Sequence, residues 1–261
     1  MDKKTLLVVE DSRVQSKIIC QRFEALTSFP LLAAYSKAET EHLASAHKDE
    51  LFAAVVDLNL PDAAHGEAVD ICLAHGIPCI VLAATFDDAM RKTLIDKHVV
   101  DYFLKGGIGD LESLVAAVQR IYANYSVKAL VVDDFATQRA AIRKLLAVQC
   151  ISSVAAEDGV AALEMLEAHP EITLVITDYN MPRMDGIELV KAIREKHKIH
   201  RMAVIGLSSS GSGALTARFL KNGANDFLTT PFEAEEFYWR VNQTLNILGA
   251  MDELRTLRGH R

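Results

Sequence analysis

Leu174-Val175-Ile176-Thr177-Asp178-Tyr179-Asn180-Met181-Pro182-Arg183-Met184-Asp185-Gly186 is the stretch that decides the fold. An apolar run carries one aspartate, Asp178, out of what reads as a buried strand. A loop holding Pro182 and Gly186 then turns the chain into the next helix. In an open parallel sheet the carboxyl ends of the strands line the crevice where ligands bind, so chemistry is expected at Asp178. The same pattern stands earlier as Ala54-Val55-Val56-Asp57-Leu58-Asn59-Leu60-Pro61, followed by Gly66.

Outward from these two stretches the repetition continues. Leu6-Leu7-Val8-Val9-Glu10-Asp11 matches Ala129-Leu130-Val131-Val132-Asp133-Asp134. Asp134 lies 123 residues after Asp11 and Asp178 lies 121 after Asp57, so a whole domain is duplicated. Within each copy five short aliphatic or β-branched runs alternate with five amphipathic stretches. That order predicts an α/β fold: two consecutive doubly wound, flavodoxin-like domains, each on a five-stranded parallel sheet with right-handed crossovers. The expected division is residues 1–125 for the first domain, 126–248 for the second, and 249–261 for a helical extension or connector. No Gly/Ser or Pro-rich linker separates the copies, which predicts a limited range of orientations between them. Phe237, Val241, Leu245, Leu248, Met251, Leu254 and Leu257 keep a helical stripe running to the end of the chain. Its later members suit a dimerising segment or a connector.

Composition narrows the classes. Half of the 261 residues are hydrophobic and the net charge is −7, which fits a core-forming protein and speaks against nucleic acid or anionic membrane as a partner. No run approaches the roughly 18 apolar residues of a spanning helix, and the N-terminus lacks a signal-peptide layout. Cys20, Cys72, Cys79 and Cys150 are scattered without a CxxC pair, so reduced structural thiols in the cytoplasm are expected. The nine histidines show no HxH or HxxxH spacing that would mark a metal site. Gly211 and Gly213 lack the rest of a phosphate-loop pattern and read as a flexible strand-to-helix loop. Tyr238 and Trp239 read as core or interface residues.

The carboxylates carry the chemistry. In the second copy Asp133 and Asp134 follow the first strand and Asp178 follows the third, and these strands are neighbours in a flavodoxin-like sheet. Glu10, Asp11 and Asp57 stand likewise in the first. Three carboxylates in one crevice repel one another unless a proton or cation holds them. Hard oxygen ligands in a small open site suit Mg²⁺. A carboxylate beside such an ion can act as a nucleophile towards phosphorus and give an aspartyl phosphate. One Asp-Asp pair alone would read as helix caps. A pair plus a third acid, twice at matched spacing, does not.

These residues make both copies resemble the receiver domain of two-component response regulators, across nearly the whole chain. The family pattern is an acid pair after strand one and a phosphoacceptor aspartate with a Pro/Gly loop after strand three. A Thr or Ser follows strand four, and Lys-Pro follows strand five. The resemblance implies phosphotransfer from a sensor histidine kinase or a phosphotransfer protein onto Asp57 or Asp178, with Mg²⁺ required. It implies metal binding by Glu10, Asp11, Asp57 and Asn59 in the first copy, and by Asp133, Asp134, Asp178 and Asn180 in the second, with the asparagines offering backbone carbonyls. The switch hydroxyl and aromatic of the second copy fall on Ser208 and Phe227, but Thr230 stands where the family has its lysine. The first copy has Lys105 and the aromatic Tyr102, but Ala83 stands at the hydroxyl position, 22 residues before Lys105. Thr85, two residues on, offers the nearest hydroxyl to that position.

The defects are complementary. The first site is expected to hold a phosphoryl group with weak conformational output, and the second to accept one less readily for want of the lysine charge. The chain then reads as a signalling protein, not an enzyme with a diffusing substrate. The alternative is a pair of pseudo-receivers serving as an interaction scaffold. A haloacid-dehalogenase-type phosphatase would resemble Asp-x-Asp, where this chain has Asn59 and Asn180. A tandem receiver ending in a Glu253-Leu254-Arg255-Thr256-Leu257-Arg258 helix resembles the input half of regulators that continue into a diguanylate cyclase, although no GG[DE]EF signature occurs in these residues.

Overall fold

Runs of β-branched and aliphatic residues, too short for helices and apolar on both sides, force strands that must be covered on both faces. The computed structural model describes residues 4–85, 87–106, 108–209 and 213–259. The chain divides into two compact units, Met1–Ser126 and Val127–Arg261. The first unit runs β1 (Thr5–Val9), α1 (Arg13–Leu26), β2 (Leu31–Ala34), α2 (Lys37–His47), β3 (Leu51–Asp57), α3 (Glu67–Ala74), β4 (Cys79–Ala83), α4 (Asp88–Asp96), β5 (Asp101–Leu104) and α5 (Ile108–Asn124). The second repeats the order as β6 (Lys128–Val132), α6 (Ala136–Val148), β7 (Ser152–Ala156), α7 (Gly159–Ala168), β8 (Ile172–Asp178), α8 (Gly186–Lys196), β9 (Ala203–Ser208), α9 (Gly213–Lys221), β10 (Asp226–Thr229) and α10 (Ala234–Gly259). The sheets have strand orders β2-β1-β3-β4-β5 and β7-β6-β8-β9-β10, all parallel. This is the doubly wound, flavodoxin-like architecture that the alternation predicts.

Period-two alternation splits each second-unit strand between two cores. Leu130, Val132, Val175 and Val204 join α7, α8 and α9 on one face. Ala129, Val131, Leu174, Ile176, Ala203 and Ile205 join α6 and α10 on the other. Helix starts follow side-chain caps: Ser12 accepts from Gln15 N, Asp158 from Val160 N and Ala161 N, and Asp185 forms a capping box with Glu188. The helix α10 continues unbroken to Gly259. Tyr238 and Leu248 pack on the core, whereas Trp239, Met251 and Leu254 are exposed. Trp239 is therefore not a core residue. Gly211 lies outside the described residues, and Gly213 opens α9.

The ladders superimpose the copies residue by residue. Val81 pairs with Tyr102 in β4–β5, and Gly206 pairs with Phe227 in β9–β10. Leu94 and Phe219 also correspond, for their carbonyls accept from Val99 N and Ala224 N at the same turn. The first unit thus packs a valine against a leucine, and the second a glycine against a phenylalanine. A β-carbon on Gly206 would lie 2.5 Å from the Phe219 ring. Overpacking of this kind costs about 1–3 kcal/mol. Gly206→Val is therefore expected to destabilise the second unit by about that amount, and Phe219→Leu in the same protein to recover more than half of it. Urea unfolding followed at Trp239 measures the cycle; additive costs would show that the two positions do not share this space.

Candidate functional site

Glu10 and Asp133 directly follow β1 and β6, and Asp57 and Asp178 end the neighbouring β3 and β8, so the carboxylates meet at one edge of each sheet. In the first unit Val9 pairs with Val56, which sets Glu10 beside Asp57. Both are buried, at 1% and 4% exposure. Glu10, Asp11 and Asp57 hold ligand oxygens within 4.8 Å of one another. Lys105, one residue past β5, donates its Nζ to Glu10 Oε2 at 2.7 Å and to Asp57 Oδ2 at 2.6 Å. Burial pushes the Glu10 carboxyl up, Lys105 pulls it back and the Asp57 charge adds to the rise. Burial works against the Lys105 ammonium, but its bonds to Asp57 and Glu10 outweigh that and hold its pKa above the ordinary value.

Among the described residues of the second unit no lysine bridges the acids; the Arg139 guanidinium donates to the Asp133 carbonyl at 2.6 Å. Val132 pairs with Thr177, which brings Asp133 beside Asp178. Asp133 is 1% exposed, and its Oδ1 accepts from Phe135 N at 2.7 Å. Its Oδ2 is buried with no hydrogen-bond partner. Burial drives the Asp133 carboxyl up to about 6, opposed by the Phe135 N–H and reinforced by the Asp178 and Asp134 charges. Burial also raises Asp178, against the N–H groups of Asn180 and Tyr179. Asn180 N donates to Asp178 Oδ2 at 2.7 Å, as Asn59 N does to Asp57 Oδ1 at 3.3 Å. Asp11, Asp134, Asn59 and Asn180 are exposed at the mouths of the crevices. An orphaned buried carboxylate oxygen among further oxygen donors is a donor set that fits a hard divalent cation such as Mg²⁺.

The remaining predicted residues fall in matched places. Lys105 N donates to Ala83 O and Thr230 N to Ser208 O, both at 2.9 Å, so Thr230 occupies the lysine's backbone position and Ala83 that of the serine. Ser208 is buried, Tyr102 half-buried and Phe227 buried against Phe219, with ring centroids 5.2 Å apart. Thr85 is exposed. Sequence reasoning missed the tethers of the acceptor loops. Asp62 accepts from Lys37 N at 3.0 and 2.9 Å, pinning the first loop to the start of α2. In the second unit Arg183, in a left-handed conformation with φ of 64°, grips Asp158, the buried cap of α7. The Asp158-Gly159 start of α7 was visible as a cap signal; its arginine partner had no signature.

A family model described as "Response regulator receiver domain" matches residues 129–242. The chain is 38% identical over 102 residues to a two-component response regulator, ORR11, of Oryza sativa, covering 39% of this chain and 69% of that protein. It is 38% identical over 120 residues to a chemotaxis protein CheY homolog of Campylobacter jejuni, covering 46% of this chain and 92% of that one. This chain belongs to the response regulator receiver family. A solved structure of a two-component system response regulator/GGDEF domain protein is similar across 95% of this chain and all of that one, with a TM-score of 0.86 and 38% identity. A second of the same description gives a TM-score of 0.85. Receiver membership supports phosphorelay signalling through an acidic, Mg²⁺-binding pocket. No helix among the described residues is long and apolar enough to cross a membrane.

The Asp133 shift has a stability consequence with a defined sign. The folded pKa of about 6 lies above the model-peptide value of 3.8, so ionising Asp133 opposes folding. Its contribution is favourable at low pH and is lost as pH rises from near 4 through 6. Asp133→Asn keeps an acceptor for Phe135 N and removes the charge. It is expected to raise stability in Mg²⁺-free buffer at pH 7.5 by about 1–2 kcal/mol, allowing for solvent screening at the open crevice. The gain should vanish near pH 4 and narrow when millimolar Mg²⁺ is added. Denaturation at the two pH values checks this; a destabilised variant at pH 7.5 contradicts it.

Proposed function

We propose that this chain is a tandem receiver that takes a phosphoryl group onto aspartate, with Asp57 the better acceptor and Asp178 the second. The observation that carries this reading is the Lys105 ammonium bridging Glu10 and Asp57 where three carboxylates converge. In the transfer, an Asp57 oxygen forms a bond to phosphorus while the bond from phosphorus to the donor's imidazole nitrogen breaks, and the donor histidine leaves with that electron pair. Lys105 is placed to release its carboxylates and follow the charge onto the phosphoryl oxygens. Mg²⁺ held by Glu10, Asp11, Asp57 and the Asn59 carbonyl, or by Asp133, Asp134, Asp178 and the Asn180 carbonyl, would neutralise the transferring group. The donor is a sensor histidine kinase or phosphotransfer protein.

The two sites differ in what they do with the group. In the first, Ala83 offers no hydroxyl to a phosphoryl oxygen, so occupancy favours one conformation over another only weakly. In the second, Ser208 and Phe227 are present but Thr230 supplies no cation, so the phosphoryl group is held less tightly. Output passes to a domain or partner, for which a diguanylate cyclase is the reading the similar structures support. Helix α10 presents Ile247, Met251 and Leu254 to solvent at helical spacing, a stripe suited to a homodimer.

Incubation with Mg²⁺ and acetyl phosphate, followed by intact mass, tests the assignment. One phosphoryl adduct is expected in wild type and in Asp178→Asn, with most of it lost in Asp57→Asn. Thr230→Lys is expected to raise labelling of Asp178 about tenfold, the worth of one charge-assisted hydrogen bond. Loss of the adduct only in Asp178→Asn would reverse the ranking of the sites. No adduct in wild type, together with no Mg²⁺ binding, would leave a pseudo-receiver scaffold.

A further inference from the structure

The first unit contains an apolar cavity of about 430 Å³ between α1 and α5, lined by Ile18 and Ile19 of α1, Leu82 of β4, Phe103 of β5 and Leu114 of α5. The second unit shows what belongs in such a place. There Phe232, two residues past Thr230, packs against the cluster containing Ile142, Leu207 and Leu228, which correspond to Ile19, Leu82 and Phe103. Its ring stacks on Phe237 with centroids 5.4 Å apart and planes 15° from parallel. The first unit reads Gly106-Gly107 where the second reads Pro231-Phe232, and Gly107 lies outside the described residues. The fold is the same, the surrounding apolar residues are retained, and the ring has been deleted from the sequence.

We infer that this cavity of the first unit is a binding site for a small, uncharged aromatic ligand of one or two rings. The volume falls within the range of small-molecule pockets and exceeds what one phenylalanine ring fills. The polar side chains at the lining are Gln15 and Lys105, and the Lys105 ammonium is engaged by Glu10 and Asp57. A ring with at most one hydrogen-bonding group, facing Gln15, matches that lining; an anion finds no free cation there. A ring seated in this solvent-open apolar concavity removes apolar surface from water and gains dispersion contacts with the lining. Lys105 belongs to both the cavity and the acidic crevice, so a bound ring lies against the residue that closes the first site.

The test uses the full chain and 5-fluoroindole, observed by ¹⁹F NMR. Saturable one-to-one binding with a Kd below about 1 mM is expected, in keeping with the efficiency of a ligand of this size. Two variants fill the space in different ways. Gly106→Pro with Gly107→Phe writes the second unit's own residues into the first, and Ile18→Trp closes the cavity from its half-exposed rim. Each is expected to weaken binding at least tenfold while leaving the unfolding midpoint in place. Equal binding by wild type and both variants, or no saturation in wild type, overturns the inference. Binding of an amphipathic peptide carrying an aromatic residue, without binding of the free probe, also overturns it and makes the cavity a protein-docking groove.

Discussion

Carboxylates forced together at the end of a parallel sheet repel, and everything distinctive in this protein answers that repulsion. Neighbouring strands lie roughly 5 Å apart, so acids that follow β1 and β3, or β6 and β8, cannot avoid one another. The first unit answers with a lysine from the adjoining strand end, whose ammonium touches Glu10 and Asp57. Among the described residues of the second no such ammonium reaches the acids; burial pushes the Asp133 carboxyl up to about 6, and one of its oxygens stays unpartnered in the interior. A divalent cation held among these oxygens would relieve the repulsion in either unit.

The scaffold beneath can afford these strained edges because its cores are deep. Strands apolar on both faces are covered by helices on both sides, and the acids stand only at the ends of β3 and β8 or just past β1 and β6. Duplication then allowed the two cores to drift in compensated steps. Valine faces leucine in one unit where glycine faces phenylalanine in the other, so the larger ring is matched by the smaller partner. The crevices drifted without compensation. Exchanging lysine for threonine, or serine for alanine, changes charge and hydrogen bonding at positions where no neighbour can make up the difference.

Much of this was legible beforehand. Alternation of apolar runs and amphipathic stretches gave the number and order of strands and helices in each copy, because parallel strands buried on both faces leave little ambiguity in pattern. The matched β4–β5 and β9–β10 hydrogen bonds put Ala83 with Ser208 and Lys105 with Thr230, at the register that the spacing implied. Of the two readings of Trp239, core or interface, the core one does not hold, for the ring faces solvent at 61% exposure. Its neighbours Phe237 and Val241 already fill the core-facing stripe of α10.

By itself the sequence determined that a domain occurs twice, that each copy is a parallel sheet wound on both faces, and that acids cluster at its carboxyl edge. Those conclusions rest on local periodicity and on spacing along the chain, which are properties of the chain alone. Only the tertiary structure decided that Lys105 binds both Glu10 and Asp57, that Asp133 strands an oxygen, and that Arg183 holds Asp158 across 25 residues of sequence. It also decided that the first unit keeps a cavity where the second keeps a ring. Those outcomes depend on which side chains meet through space and at what distance, and no periodicity along the chain encodes that.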